Sequence, residues 1–167
     1  MGLLAFVKEA GEKLFHRGAA QAAMAQAQAD TANAEKAAAA NGAAGDAIVE
    51  YIKAQNLSAT GLTVTFDGAA SAASVFGVAP DQATKEKIVL CCGNVAGVAQ
   101  VNDMMSVDQS APEATYYTVV SGDNLSKISK ANYGDPNKYM KIFEANQPML
   151  THPDKIYPGQ VLRIPPL

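Results

Sequence analysis

Side chains that could do acid–base, nucleophilic or metal chemistry are few in this chain and far apart. Its two histidines, His16 and His152, stand near opposite ends of the sequence. Its two cysteines, Cys91 and Cys92, are adjacent in an apolar helical run. Neighbouring cysteines rarely pair with each other, and the spacing is neither C-x-x-C nor a zinc pattern. They read as small buried hydrophobes in a reducing compartment. Carboxylates such as Asp67 and Asp81 have no spacing that argues for proton transfer, and no nucleophile elbow, phosphate loop, H-E-x-x-H or dinucleotide fingerprint occurs. An enzyme is not expected. Main-chain oxygen remains. Gly93-Asn-Val-Ala-Gly-Val98 closes a helix, where the last four carbonyls lack helical partners and the dipole places roughly half a negative charge. The bracketing glycines let the backbone take unusual φ values. Gly11 could end a first short helix in the same way, so two segments with free carbonyls could face one ion. As residues alone, Gly93 and Gly97 serve equally well as ordinary helix-stop and turn glycines.

The elements that position these groups divide the chain into two folded parts. In residues 1–17, Leu3, Leu4, Phe6, Val7, Ala10, Leu14 and Phe15 recur near helical spacing, and this segment is expected to pack on the first domain. Residues 18–44 are Ala-rich, a stretch expected to form a solvated helix or semi-flexible insert that breaks at Asn41-Gly42 and Gly45. Residues 45–108 form the first domain. Asp46 caps a helix to about Ala54, Leu62–Phe66 and Ala72–Val78 are strands, Pro80-Asp81 opens a second helix that Gly93 ends, and Val98–Val107 is a third strand. Residues 109–115 are a linker by composition. In residues 116–166 a strand from Tyr117 to Val120 ends at Ser121-Gly122-Asp123 and opens a helix. Tyr157-Pro158-Gly159-Gln160 then feeds the strand Val161–Ile164. The expected class is α+β, a small αββαβ domain followed by a βααβ domain.

Composition removes several function classes. Net charge is -3, charged residues make up 17%, and there is no Trp, which argues against a nucleic-acid partner. No apolar run approaches the ~18 residues that span a bilayer. At the N-terminus the charges follow the apolar stretch rather than precede it, unlike a secretory signal, so a cytoplasmic location is expected.

Tyr117-Thr-Val-Val-Ser-Gly-Asp-Asn-Leu-Ser126 and Ile156-Tyr-Pro-Gly-Gln-Val-Leu-Arg-Ile-Pro165 together resemble the lysin motif (LysM). That resemblance implies a groove for N-acetylglucosamine glycans between two loops, with Gly122, Asp123, Asn124 and Tyr157 as its candidate residues. On the residues themselves, Ser121 or Asp123 can equally be a helix cap and Pro158-Gly159 a turn. Val75-Phe-Gly77, Ala83 to Val89 and Val95-Ala-Gly-Val-Ala-Gln-Val-Asn102 resemble a BON domain. With the N-terminal run Gly2-Leu-Leu-Ala-Phe-Val-Lys-Glu-Ala-Gly-Glu-Lys-Leu14, the order BON then LysM is similar to a family of small bacterial potassium-binding proteins. The resemblance implies cytoplasmic K⁺ binding with a conformational change, as a sensor or buffer active in osmotic stress. It also implies backbone ligands at Val7, Ala10, Glu12, Gly93, Val95 and Val98. Such a site is chemically coherent, because a ring of carbonyls can replace the water shell of K⁺ with no charged ligand. The LysM part could then dock on the BON part, with Tyr116, Tyr139, Met140, Phe143 and Met149 as candidate patch residues, although on the residues alone they read first as core residues. The alternative is a peptidoglycan-binding adaptor at the cell envelope.

Overall fold

In the computed structural model residues 2–6, 19–29 and 33–167 are described. The first part contains β1 (Gly2–Ala5), α1 (Ala19–Ala29), α2 (Ala34–Ala54), β2 (Thr60–Asp67), β3 (Ala72–Asp81), α3 (Gln82–Gly93) and β4 (Gln100–Gln109). The second contains β5 (Thr115–Thr118), α4 (Leu125–Tyr133), a 3-10 turn (Pro136–Lys138), α5 (Tyr139–Ala145) and β6 (Val161–Ile164). The class is α+β. From α2 to β4 the order is αββαβ, and from β5 to β6 it is βααβ.

Strands of the first part form one sheet in the order β1-β4-β3-β2. β2 and β3 are an antiparallel hairpin, and α3 carries the chain across to β4, which runs parallel to β3. Alternation decides the faces. Val64, Phe66, Ala73, Val75 and Val101 point under the helices, while Phe76 and Met104 lie on the other face. Ile48 and Ile52 of α2 and Ile88 of α3 are fully buried against them. Each such isoleucine contributes about 2 kcal/mol relative to an exposed one. In the second part β5 and β6 pair antiparallel, Thr115 opposite Ile164 through Thr118 opposite Val161. Leu125, Ile128, Ile142, Leu150 and Leu162 close a second, smaller core over them.

Two expectations are corrected. Helical spacing at Leu3, Leu4 and Phe6 does not make a helix there. Gly2–Ala5 is a strand, antiparallel to β4 with Gly2 opposite Asp103 and Ala5 opposite Gln100. Four residues carry too little pattern of their own, and their partner is at the far end of the domain. The rest of that helical reading, from Val7 to residue 17, lies outside the described residues.

The second correction concerns the Ala-rich stretch. Asn33, not Asp46, caps α2 by accepting from the Lys36 N–H (3.1 Å), and the helix runs unbroken through Gly42, Gly45 and Asp46. A glycine inside a helix costs about 1 kcal/mol relative to alanine. At Gly45 a close approach offsets that cost, since a Cβ there would strike the Val64 carbonyl of β2. At the β2–β3 turn, Gly68 donates its N–H to Asn41 Oδ1 (3.0 Å) and leaves room for the Ala27 carbonyl of α1. Ala27 and Ala44 are fully buried. Alanine's small side chain lets α1 and α2 lie close to each other and to the hairpin. The described residues of the stretch are thus packed structure.

Candidate functional site

α3 starts on Asp81, whose Oδ1 accepts from the Thr84 N–H (2.7 Å), and stops at Gly93. A glycine at position 93 has a packing cause. A Cβ on Gly93 would fall inside the ring of Phe6, which is itself buried. Phe6 follows β1 directly, and its N–H donates to the Ala99 carbonyl (2.8 Å). Pairing of β1 with β4 therefore delivers Phe6 onto the turn that ends α3.

Hydrogen-bond accounting in that turn is informative. Asn94 N–H donates to the Leu90 carbonyl (2.9 Å), Val95 N–H to Cys92 (3.3 Å) and Val98 N–H to Val95 (3.1 Å). The Gln28 side chain of α1 donates to the Gly97 carbonyl (3.0 Å) and to Ser71 Oγ (3.2 Å). Among the described residues, nothing donates to the carbonyls of Gly93, Asn94, Ala96 or Val98. Buried carbonyls are almost always paired. Asn94, Val95, Ala96 and Val98 are all buried, and Gly97 holds φ +97, a conformation that favours glycine. The turn is thus a tight loop of mostly apolar side chains, with several main-chain oxygens that accept nothing from the described residues and the negative end of a helix dipole beside it.

Of the six residues expected to supply carbonyls, Gly93, Val95 and Val98 lie in this one turn. The Val95 oxygen already accepts one hydrogen bond and keeps a second lone pair. Val7, Ala10 and Glu12 lie outside the described residues.

Asn94 makes a contact that sequence reasoning missed. Its carboxamide reaches β6 of the second part. Nδ2 donates to the Val161 carbonyl (3.2 Å) and to Met149 Sδ (3.4 Å), while Oδ1 accepts from the Val161 N–H (3.3 Å). Both main-chain groups of Val161 face away from β5, so Asn94 stands where a third strand would. About two turns back along α3, Glu86 forms a buried ion pair with Arg163 of β6. Glu86 also accepts from Gln82 Nε2 (2.9 Å) and from the Ala114 N–H (2.9 Å). Removing one partner of such a buried pair costs about 3–5 kcal/mol. A polar residue in an apolar turn was the available signal for Asn94; nothing in the sequence marks Glu86 and Arg163 as partners. Burial, then the nearby Arg163, pulls the Lys87 ammonium below its ordinary range, with Asp81 acting the other way. Burial pushes the Cys91 thiol up to about 12 and the Cys92 thiol further still. Of the expected patch residues, Tyr116 and Met149 pack against the first core, Tyr139 and Phe143 against the second, and Met140 is 40% exposed.

The second part has its own groove, about 460 Å³, lined by Asn124, Leu125, Ser126, Tyr139, His152, Pro153 and Asp154. That volume suits a small ligand. Asn124, expected there, does line it, although its Oδ1 also caps α4 by accepting from the Lys127 N–H (2.8 Å). Gly122, Asp123 and Tyr157 are not among its walls. Asp123 Oδ2 accepts from the Tyr117 hydroxyl (2.9 Å) and the Val120 N–H (3.0 Å), and so holds the turn together.

Comparison with known proteins agrees with this division. The BON domain model matches residues 43–109 and the LysM domain model matches residues 117–165. Over 169 residues the chain is 43% identical to the potassium binding protein Kbp of Escherichia coli O6:H1, with 99% of each chain covered. An uncharacterized protein of Deinococcus radiodurans is 53% identical over 51 residues, 30% of this chain and 19% of that one.

Proposed function

This chain belongs to the family of the Escherichia coli potassium binding protein Kbp, and on that premise we propose that it binds K⁺ through main-chain carbonyls. The site lies at the turn ending α3, with Gly93, Val95 and Val98 as ligands from the turn and Val7, Ala10 and Glu12 from the segment that follows Phe6. One observation carries the reading. The 93–98 turn gathers main-chain carbonyls of mostly buried residues at a helix C-terminus beside Phe6, and those of Gly93 and Val98 accept nothing from the described residues. Carbonyl dipoles hold a monovalent cation without a carboxylate, so affinity depends on how many oxygens converge and how firmly the turn holds them.

The protein is a binding protein with no catalytic step, and it senses or buffers K⁺ in the cytoplasm. Occupancy alters the contact between its BON and LysM domains. Isothermal titration with KCl against NaCl at constant ionic strength tests this. Heat with K⁺ that Na⁺ does not reproduce is the expected outcome, and equal or absent heat for both ions refutes it.

The groove beside Asn124 supports a second reading, a peptidoglycan-binding adaptor. Sedimentation of the protein with purified cell-wall sacculi tests it; protein left entirely in the supernatant rejects it.

A further inference from the structure

Asn94 lies between two of the carbonyl donors just proposed, Gly93 and Val95. It is 3% exposed, and its side chain makes two hydrogen bonds to Val161 across the boundary between the domains. The same residue is therefore part of the turn's backbone and part of the contact with β6. The two peptide planes flanking its Cα are those whose carbonyls belong to Gly93 and Asn94 itself. A change in φ or ψ at Asn94 that is not compensated next door reorients those carbonyls relative to the Cα–Cβ bond that carries the carboxamide.

We propose that Asn94 is the positioning residue that couples cation occupancy of the 93–98 turn to the seating of the LysM domain. The inference rests on the K⁺ reading above. Carbonyls converging on one point repel each other, and a cation relieves that repulsion and holds the turn in the conformation that aims Asn94 at Val161. With the turn relaxed, the carboxamide leaves the open edge of β6. The buried N–H and C=O of Val161 then lose their partner, and the domain boundary loosens. Coupling of this kind is reciprocal, so the contact with β6 also strengthens cation binding.

The geometry supplies its own reporter. Cys91, three residues before Asn94, lines a small cavity at the boundary together with Leu57, Lys87, Leu90, Asn146 and Met149. It is 1% exposed when β6 is seated. Alkylation of Cys91 in the full-length chain, followed by peptide mass spectrometry with and without KCl, reads the boundary. Calorimetry on the same samples reads the ion.

In the unsubstituted protein K⁺ should slow alkylation about tenfold, a typical coupling. In Asn94→Ala that ratio should fall to near one, and K⁺ affinity should drop by a similar factor. If Asn94→Ala is alkylated faster but keeps the full K⁺ ratio, Asn94 is a structural contact and the coupling is overturned. If the unsubstituted protein binds K⁺ but alkylation ignores it, the coupling is also overturned, while the K⁺ reading stands. If no K⁺-selective heat appears, both fall together. Should Asn94→Ala lack a native circular-dichroism spectrum, Asn94→Gln carries the same test. It keeps the carboxamide but moves it one methylene out of register with Val161.

Discussion

The turn that ends α3 and the turn that opens α4 both contain glycine and both adjoin a candidate site, yet they use their polar atoms in opposite ways. Residues 121–124 display Ser, Asp and Asn side chains, the kind of residues expected to hold a sugar. Most of that capacity is engaged in the fold: Asp123 holds Tyr117 and Val120, and Asn124 caps α4. Residues 93–98 display valine, alanine and glycine around one asparagine, and their side chains are buried. There the available groups are main-chain oxygens, and the single polar side chain is directed at the other domain. Polar composition is therefore a poor guide to where ligand chemistry is available in this molecule. An accounting of which donors and acceptors already have partners is a better one.

Three substitutions or conditions would break or sharpen this contrast. Gly93→Ala should have the largest effect. The new methyl group runs into the Phe6 ring, and overpacking of a tight site costs about 1–3 kcal/mol. Chemical denaturation should show that loss, and K⁺ titration of the variant should show binding lost together with it. An unchanged midpoint would mean that the ring moves aside freely. Asn124→Ala should cost about 1 kcal/mol, the worth of a helix cap, and leave K⁺ titration unchanged. A shift in K⁺ affinity there would contradict the separation of the two turns.

The smallest effect concerns the thiols of α3. Because burial holds Cys91 at about 12, the folded chain keeps a proton that the unfolded chain releases from about pH 9 upward. Stability from this group is complete below the unfolded value and is lost as pH rises toward the folded one. Near pH 9.5 the loss is under about 1 kcal/mol. Urea melts from pH 8 to 10.5 should therefore show a shallower decline for Cys91→Ala than for the unsubstituted chain. Parallel declines would assign the alkaline loss to other groups.

Much of the fold was legible in residue order. Asp81 as a cap, Gly93 as a stop and the alternation in β2 and β3 are local signals, and each reflects an energy that neighbouring residues alone decide. Three features were not legible, for physical reasons that particular residues make plain. β1 is a strand because β4 supplies its hydrogen bonds, which overrides helical spacing over four residues. α2 continues through Gly45, a glycine placed there by packing, since the Val64 carbonyl occupies the space a side chain would need. Glu86 and Arg163 pair across the domain boundary although separated by most of two domains, and no spacing rule reaches so far.

The candidate site divides in the same way. By itself the sequence determined that α3 ends in a glycine-bracketed turn, because helix termination depends on the φ freedom of a few adjacent residues. It also determined that the chain carries a BON and a LysM domain, because their strand and turn motifs are local. Only the tertiary structure decided that Phe6 lies on Gly93, that several carbonyls of the turn accept nothing from the described residues, and that Asn94 faces Val161. Each of these depends on distant segments competing for the same space and the same hydrogen bonds. That competition is settled only when the whole chain has folded.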